Sequence, residues 1–413
     1  METRAKWTFM VYLAGDNNLS MAGEKDLNEM RRVGSTDDVN IIAEFDRIGP
    51  SHETRRYRIQ RDGADERTLS LGETDSGDPQ VLLSFLEWAS RNYPADRYAL
   101  VLWNHGGGWS PEEMDGVARS VNPVDYSGRE VVARSSSSLG RVLFRTTLEK
   151  IFQAPSLHAR AILTDDGTGH SLDTIELGNV LAEAVDIFGQ KLDLLGMDAC
   201  LMSNLEVAFQ AQSYVRYIVA SEENEPNDGW PYDAVLDYLV RNPEVETADF
   251  AAHIVQAYVE SYVERAYSGS VTQAALDLSQ VGTLTHPIDA LSKAMMPNMA
   301  AGKQWLGEAL YKTEARFRDS TLWDVAEVCE YLQDESDRQD VQEAAKAVCD
   351  ALQPQNEDFV IAERHYGSKV EHCGGITIYL PPRVLHRISP YYKDTAYART
   401  HTWLELLEAY HAT

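Results

Sequence analysis

Apolar positions along this chain alternate between two periods. Trp7 to Leu13 is a continuous apolar run, too short for a helix and rich in β-formers, so it predicts a buried strand closed by the turn Ala14-Gly15-Asp16-Asn17-Asn18. Leu19 to Val33 then carries Leu19, Ala22, Leu27 and Met30 at helical spacing. The same alternation continues. Val39 to Phe45 reads as a strand and Arg56 to Gln60 as a shorter, polar edge strand. Pro79 to Trp88 reads as a helix with proline in its first turn, and Tyr98 to Trp103 as a second buried strand. From Ser110 to about Thr146 the periodicity stops; Pro111, Gly116, Pro123, Gly128 and the run Ser135-Ser136-Ser137-Ser138 mark an irregular insertion. Order resumes with Ala161-Ile162-Leu163, a helix over Ile175 to Val185, the strand Leu192 to Met197, a helix over Met202 to Gln212 and the strand Tyr217 to Ala220.

Strands alternating with helices predict an α/β fold with a mainly parallel sheet, covered by helices on both faces and joined by right-handed crossovers. Beyond about Val240 the pattern turns helical, with amphipathic stretches at Phe250 to Ala266, Val281 to Met295 and Leu322 to Leu332. Two late strands, Phe359 to Ala362 and Ile376 to Leu380, predict that this region adds to the sheet. The expected division is a main domain over residues 1–240, with 111–146 as an irregular, cleavable loop, and a mostly helical region over 241–413 packed on it.

Composition narrows the class. The 413 residues suffice for a large core, and 44% apolar content excludes disorder as the dominant state. A formal charge of −28, from 65 acidic and 37 basic residues, argues against nucleic acid or an anionic membrane as partner and favours basic substrates. No run of eighteen apolar residues occurs, so no membrane span is expected. Met1-Glu2-Thr3-Arg4-Ala5-Lys6 leads into the first strand without an apolar signal core. As written, that predicts a cytoplasmic protein, and a chain trimmed of its leader would read the same; a monomer is expected. The four cysteines, Cys200, Cys329, Cys349 and Cys373, show no CxxC spacing and suggest neither a zinc knuckle nor a thioredoxin motif.

The chemistry concentrates at two strand ends. Leu192 to Met197 runs into Asp198-Ala199-Cys200, and Tyr98 to Trp103 runs into Asn104-His105-Gly106-Gly107-Gly108. Neighbouring parallel strands would present thiol and imidazole at one carboxyl edge, where α/β sheets carry their sites. A free thiol is only a few per cent thiolate at neutral pH and needs a base; a helix start would further lower its pKa. His105 supplies the base. Bare glycine N–H groups approach a carbonyl closely, so Gly106 N–H and Cys200 N–H make a candidate oxyanion hole. A plain flexible turn and an inert core cysteine are the bland alternatives.

These residues resemble the clostripain family, the C11 cysteine peptidases of the caspase–gingipain–legumain clan. The resemblance rests on Asn104-His105-Gly106-Gly107-Gly108-Trp109 and on Met197-Asp198-Ala199-Cys200-Leu201-Met202-Ser203-Asn204-Leu205-Glu206. It extends to Met10 through Asn18, to Val219-Ala220-Ser221-Glu222-Glu223, to Gly229-Trp230-Pro231-Tyr232 and to Gly375-Ile376-Thr377-Ile378-Tyr379. It implies a caspase-like three-layer sandwich and a His105–Cys200 dyad whose members lie 95 residues apart. It also implies a pocket in which Asp198 selects arginine, or lysine, before the scissile bond. A strand-end aspartate that caps the next helix is the alternative for Asp198. Asp228 is the expected second acidic lining residue, with Glu223 and Glu225 as competitors.

Self-cleavage in the loop after the histidine strand is a further family property. Arg119 and Arg134 are the expected sites among Arg119, Arg129, Arg134 and Arg141. Many members are activated by calcium, so calcium enters through the resemblance alone. Asp165-Asp166-Gly167 and Asp16-Asn17-Asn18 are oxygen-rich, but turn capping explains both and no metal ligands are assigned. The expected function is thus a cysteine endopeptidase acting on peptides or proteins with basic residues. The alternatives are a same-dyad enzyme with asparaginyl or transpeptidase chemistry, and an inactive peptide-binding relative.

Overall fold

The computed structural model describes residues 4–16, 19–47, 53–63, 66–104, 106, 109, 174–353, 359–384 and 387–412. They form two compact units that interleave along the chain. Met1–Gln190 with Asn227–Glu244 make the first, and Lys191–Pro226 with Val245–Thr413 make the second.

The first unit contains strands β1 (Ala5–Gly15), β2 (Val39–Arg47), β3 (Thr54–Arg58), β4 (Arg67–Gly72) and β5 (Ala95–Trp103), in the order β5-β1-β2-β3-β4. β1 runs parallel to both β2 and β5, with Leu13 level with Phe45 on one side and Trp103 on the other. Side-chain alternation then sorts the two faces. On one, Phe45 and Trp103 meet helix α1 (Ser20–Val33); the Trp103 indole donates to Asp26 Oδ2 at 2.8 Å. Gly23 on α1 is required there, because a Cβ would lie 2.8 Å from the Phe45 ring. On the other face, the Tyr12 ring is tilted against Phe85 of helix α2 (Pro79–Asn92) with centroids 6.0 Å apart, and Tyr98 lies 4.2 Å, centroid to centroid, from Phe188 of helix α3 (Thr174–Phe188). A helix of residues Tyr232–Arg241, α4, packs beside α1. This unit alone is therefore three layers deep, helix on sheet on helix.

β3 departs from the expected polar edge. It lies between β2 and β4, antiparallel to each, and its polarity belongs to a buried ion pair in which Arg56 Nε donates to Glu44 Oε2 at 2.5 Å. The terminal strand of this set is β4, whose alternation is too weak to stand out in the sequence.

In the second unit, β6 (Leu192–Asp198) pairs in parallel with β7 (Val215–Ala220). β8 (Val271–Asp277) and β10 (Val360–Tyr366) follow antiparallel, in the order β10-β8-β7-β6. β8 was not legible as a strand, since Val271-Thr272-Gln273-Ala274-Ala275-Leu276-Asp277 is mixed in character. Helix α5 (Leu205–Ala211) follows β6, and helix α6 (Thr247–Glu264) covers β8 and β10. The helical expectation holds for α7 (Val281–Met295), and α8 (Met299–Lys312) follows it. The stretch expected as one helix from Leu322 instead opens with β9 (Leu322–Asp324), capped into α9 (Val325–Glu335) by the Asp324 carboxylate on Glu327 N–H. Helix α10 (Gln339–Leu352) precedes β10. Of the two late strands, β10 joins β8 as expected, whereas β11 (Thr377–Tyr379) pairs with β9 in a separate ribbon. Helices α11 (Ala396–Thr400) and α12 (Trp403–His411) close the chain. The mainly parallel α/β class with a helical C-terminal region is what the structure has.

Candidate active site

All seven residues of β6 are buried, and the apolar run that predicts the strand ends on Asp198, 4% exposed, and Cys200, 6% exposed. The chain then turns rather than entering a helix. Leu201 adopts φ 63°, a left-handed conformation that costs a branched side chain about 1–2 kcal/mol. The turn is fixed by hydrogen bonds on both sides. Leu201 N–H donates to Glu223 O (3.2 Å), Ser203 N–H to Ser221 O (2.8 Å), and Thr377 N–H to Ser203 O (3.0 Å). Ser203 Oγ donates to Gly375 O at 2.5 Å.

This corrects one expectation about the thiol. α5 begins at Leu205, with Asn204 as its cap accepting from Glu206 and Val207 N–H, so Cys200 is not at a helix N-terminus and gains no dipole from that helix. The same observation removes the capping alternative for Asp198.

The loop after β7 brings acidic side chains to this turn. Cys200 Sγ lies 3.8 Å from the Glu225 carbonyl oxygen, a long S–H···O contact. The Glu225 carboxyl is in hydrogen-bond contact with Asp198, and its Oε1 accepts from Gln273 Nε2 of β8 at 3.3 Å. Burial, then Asp198, then Cys200 hold the Glu225 carboxyl well above the usual carboxylate range. Glu223 is turned to structural use: its Oε1 accepts from Asn224 N–H at 2.7 Å, and burial raises its pKa. Thr272 Oγ1 accepts from Glu222 N–H and Glu223 N–H, pinning the loop to β8.

Asp228 belongs to the first unit, where it is half exposed and accepts from Lys25 Nζ at 2.7 Å. Among the sequence candidates for a second acidic residue, the one beside Asp198 is Glu225. Gln273 and Tyr258, which face the same carboxyls, were not singled out, because β8 and the packing of α6 are needed to place them.

Gly106 and Trp109 are buried in the first unit, and Trp109 O accepts from Thr174 Oγ1 at 3.4 Å. His105, Gly107, Gly108, Arg119, Arg134 and the Asp165-Asp166-Gly167 turn lie outside the described residues.

Two groups of potential metal ligands occur among the described residues. Asp16, Asp46 and Glu73 bring carboxylate oxygens within 4.8 Å of one another, an all-oxygen set of the kind calcium takes. Thr54 Oγ1 already donates to Asp46 Oδ1 at 3.0 Å. Glu222, Asp324 and Cys373 form the other. There, Glu222 Oε2 accepts from Gly375 N–H and Asp324 Oδ2 from Gly374 N–H, and burial raises both acids, Asp324 to about 6. A thiol and two acids already bonded to backbone do not suit a hard cation.

The family model described as the clostripain family, peptidase C11, matches residues 11–129 and 152–410. The chain belongs to the clostripain family. That makes it a member of a family of cysteine peptidases, which are hydrolases. Clostripain of Hathewaya histolytica is 30% identical over 265 residues, a region taking in 57% of this chain and 42% of that protein. The matched region thus spans about two fifths of that relative's length.

Two solved structures share the fold. One is a secreted C11 cysteine protease from Bacteroides thetaiotaomicron in complex with an irreversible peptide inhibitor (TM-score 0.62, 17% identity, 98% of this chain and 99% of that one). The other is an inactive zymogen C11 protease from Parabacteroides distasonis (TM-score 0.63, 19% identity, 98% and 99%). Among the described residues, no helix is long and apolar enough to cross a membrane.

Proposed function

We propose that this protein is a cysteine endopeptidase that cleaves peptide bonds after arginine or lysine. The observation carrying this reading is the placement of Cys200 at the end of β6, with the buried Asp198 carboxylate two residues before it and Glu225 beside both. A buried acid favours a basic side chain before the scissile bond, because only a cation there gains a charge-assisted hydrogen bond to the carboxylate.

The chemistry runs through two acyl transfers. The Cys200 thiolate attacks the substrate carbonyl carbon, and the tetrahedral oxyanion is met by the N–H groups of Gly106 and Cys200. Collapse expels the amine, protonated by His105, and leaves a thioester on Sγ. His105 then takes a proton from water, whose oxygen attacks the thioester; the carboxylic acid leaves and the thiolate returns. The left-handed Leu201 and the three backbone hydrogen bonds around the turn support this role by fixing the direction of Cys200.

Processing belongs to the same proposal. One structural relative is an inactive zymogen, and Arg119 and Arg134 in the insertion carry the side chain that Asp198 would select. Intact mass of purified protein, with and without Cys200→Ala, tests both points. Two fragments from the parent and one chain from the variant are expected, together with loss of arginyl-amide turnover in the variant. Appreciable turnover by Cys200→Ala would overturn the assignment. Asp198→Asn should cost several kcal/mol in kcat/KM for arginyl substrates and little for neutral ones, as profiling with a peptide library would read.

A further inference from the structure

We propose that Glu222, Asp324 and Cys373 form a binding site for zinc, or for another thiophilic divalent cation, in the second unit. The site uses none of the residues assigned to catalysis and does not rest on the cleavage chemistry proposed above.

Three separate segments converge to make it. Glu222 follows β7, Asp324 ends β9, and Cys373 precedes the pair Gly374-Gly375, all within the second unit. Close approach is required here: a Cβ at Gly374 would lie 2.6 Å from Ala326 Cβ, so only glycine lets this stretch lie against the start of α9, beside Asp324. One ligand atom from each residue lies within 4.8 Å of the other two, and the three residues are 1%, 0% and 6% exposed.

The carboxyls have lone pairs to spare. Glu222 Oε1 is buried and accepts no hydrogen bond among the described residues, an uncommon state for a carboxyl oxygen. Its Oε2 accepts from Gly375 N–H at 3.1 Å. Asp324 accepts from Glu327 N–H through Oδ1 and from Gly374 N–H through Oδ2, both at 2.7 Å. Each oxygen of an ionised carboxyl has two lone pairs, so these bonds leave capacity on all of them. The same bonds fix the direction of both carboxyls, as outer hydrogen bonds do around metal ligands.

The donor set selects the ion. Calcium and magnesium take shells of oxygen, whereas a thiolate with two carboxylate oxygens suits zinc. Three atoms no more than 4.8 Å apart share a point within about 2.8 Å of each, and zinc bonds of about 2.0–2.3 Å need inward shifts of less than about 1 Å. Water completes the tetrahedron. Binding joins Sγ to the metal as thiolate and releases to solvent the protons that the ligands carry. An ion here would tie together the loop after β7, the end of β9 and the stretch leading into β11, where Gly375 O accepts from Ser203 Oγ. A proton held by either acid would satisfy Glu222 Oε1 too, leaving the thiol unused; that alternative predicts no metal uptake.

Cobalt(II) is the probe, a stand-in for zinc whose bond to thiolate absorbs in the near ultraviolet. The Cys200→Ala protein, reduced and freed of metal by a chelator, is titrated so that the nucleophile cannot contribute. One equivalent should develop the thiolate band, and zinc should abolish it. C200A/C373S should show no such band. C200A/E222Q, which keeps an oxygen for Gly375 N–H, should bind at least about tenfold more weakly. Circular dichroism reports whether each variant is folded, and if C200A/C373S is not, C200A/E222Q decides. The absence of a thiolate band in C200A would overturn the inference, as would the same band in folded C200A/C373S or unchanged affinity in C200A/E222Q.

Discussion

Glu206 offers a quantitative test of how burial sets the energetics beneath the cysteine turn. It lies in the first turn of α5, fully buried, where Oε1 accepts from Tyr392 Oη at 2.7 Å and Tyr379 N–H at 3.3 Å, while Oε2 has no partner among the described residues. Burial raises its pKa from 4.5 to about 7, against the opposing pull of those hydrogen bonds. Below the unfolded value both states carry the proton. As pH climbs between the two values the unfolded chain loses it while the folded protein keeps it, so stability falls and then levels off above the folded value. A rise of 2.5 units at 1.36 kcal/mol each is about 3 kcal/mol. Glu206→Gln carries no titrating proton and retains an oxygen to accept both bonds. The variant should match the parent at acid pH and exceed it by up to about 3 kcal/mol in mildly alkaline solution. Urea unfolding followed by circular dichroism across that range gives the difference, and the other buried acids cancel because both proteins contain them. Parallel stability profiles for parent and variant would refute the reasoning.

Single contacts set three further outcomes. Arg56→Ala removes a guanidinium that donates to the buried Glu44 carboxyl and packs 5.6 Å from the Trp88 ring centroid. Because burial lifts Glu44 to about 7 even against the pull of Arg56, a loss growing toward about 3–5 kcal/mol is expected in urea unfolding as pH rises above neutral, and much less at acid pH where Glu44 is protonated in both proteins. Asn204→Ala removes the α5 cap and should cost about 1–2 kcal/mol by the same assay. Gly375 has φ 92°, and a Cβ there would lie 3.0 Å from Glu363 Cγ and 3.1 Å from Ala274 Cβ. Gly375→Ala should therefore lower the melting temperature and, because Gly375 O accepts from Ser203 Oγ, lower kcat on an arginyl amide more than it raises KM.

Much of this protein was legible along the chain wherever one element determines itself. Trp7 to Leu13 and Leu192 to Met197 are apolar enough to be strands in any α/β context, and Leu19 to Val33 has a periodicity that only a helix buries. The sequence also marked Cys200 and Asp198 at the end of one such strand, because residue order alone fixes which side chains close an apolar run. Features that depend on partners were decided by the tertiary structure. β3 looks like an edge until Glu44 is seen to bury Arg56, and β8 is a strand because β7 and β10 flank it, not because of its own side chains. The choice among Glu223, Glu225 and Asp228 could not be read from their spacing: they lie within six residues, yet one bonds its neighbour's backbone, one meets Asp198, and one pairs with Lys25. Period and hydrophobicity are local properties of a polymer; which acid loses its water, and which group it meets, is settled only by chain segments far away in sequence.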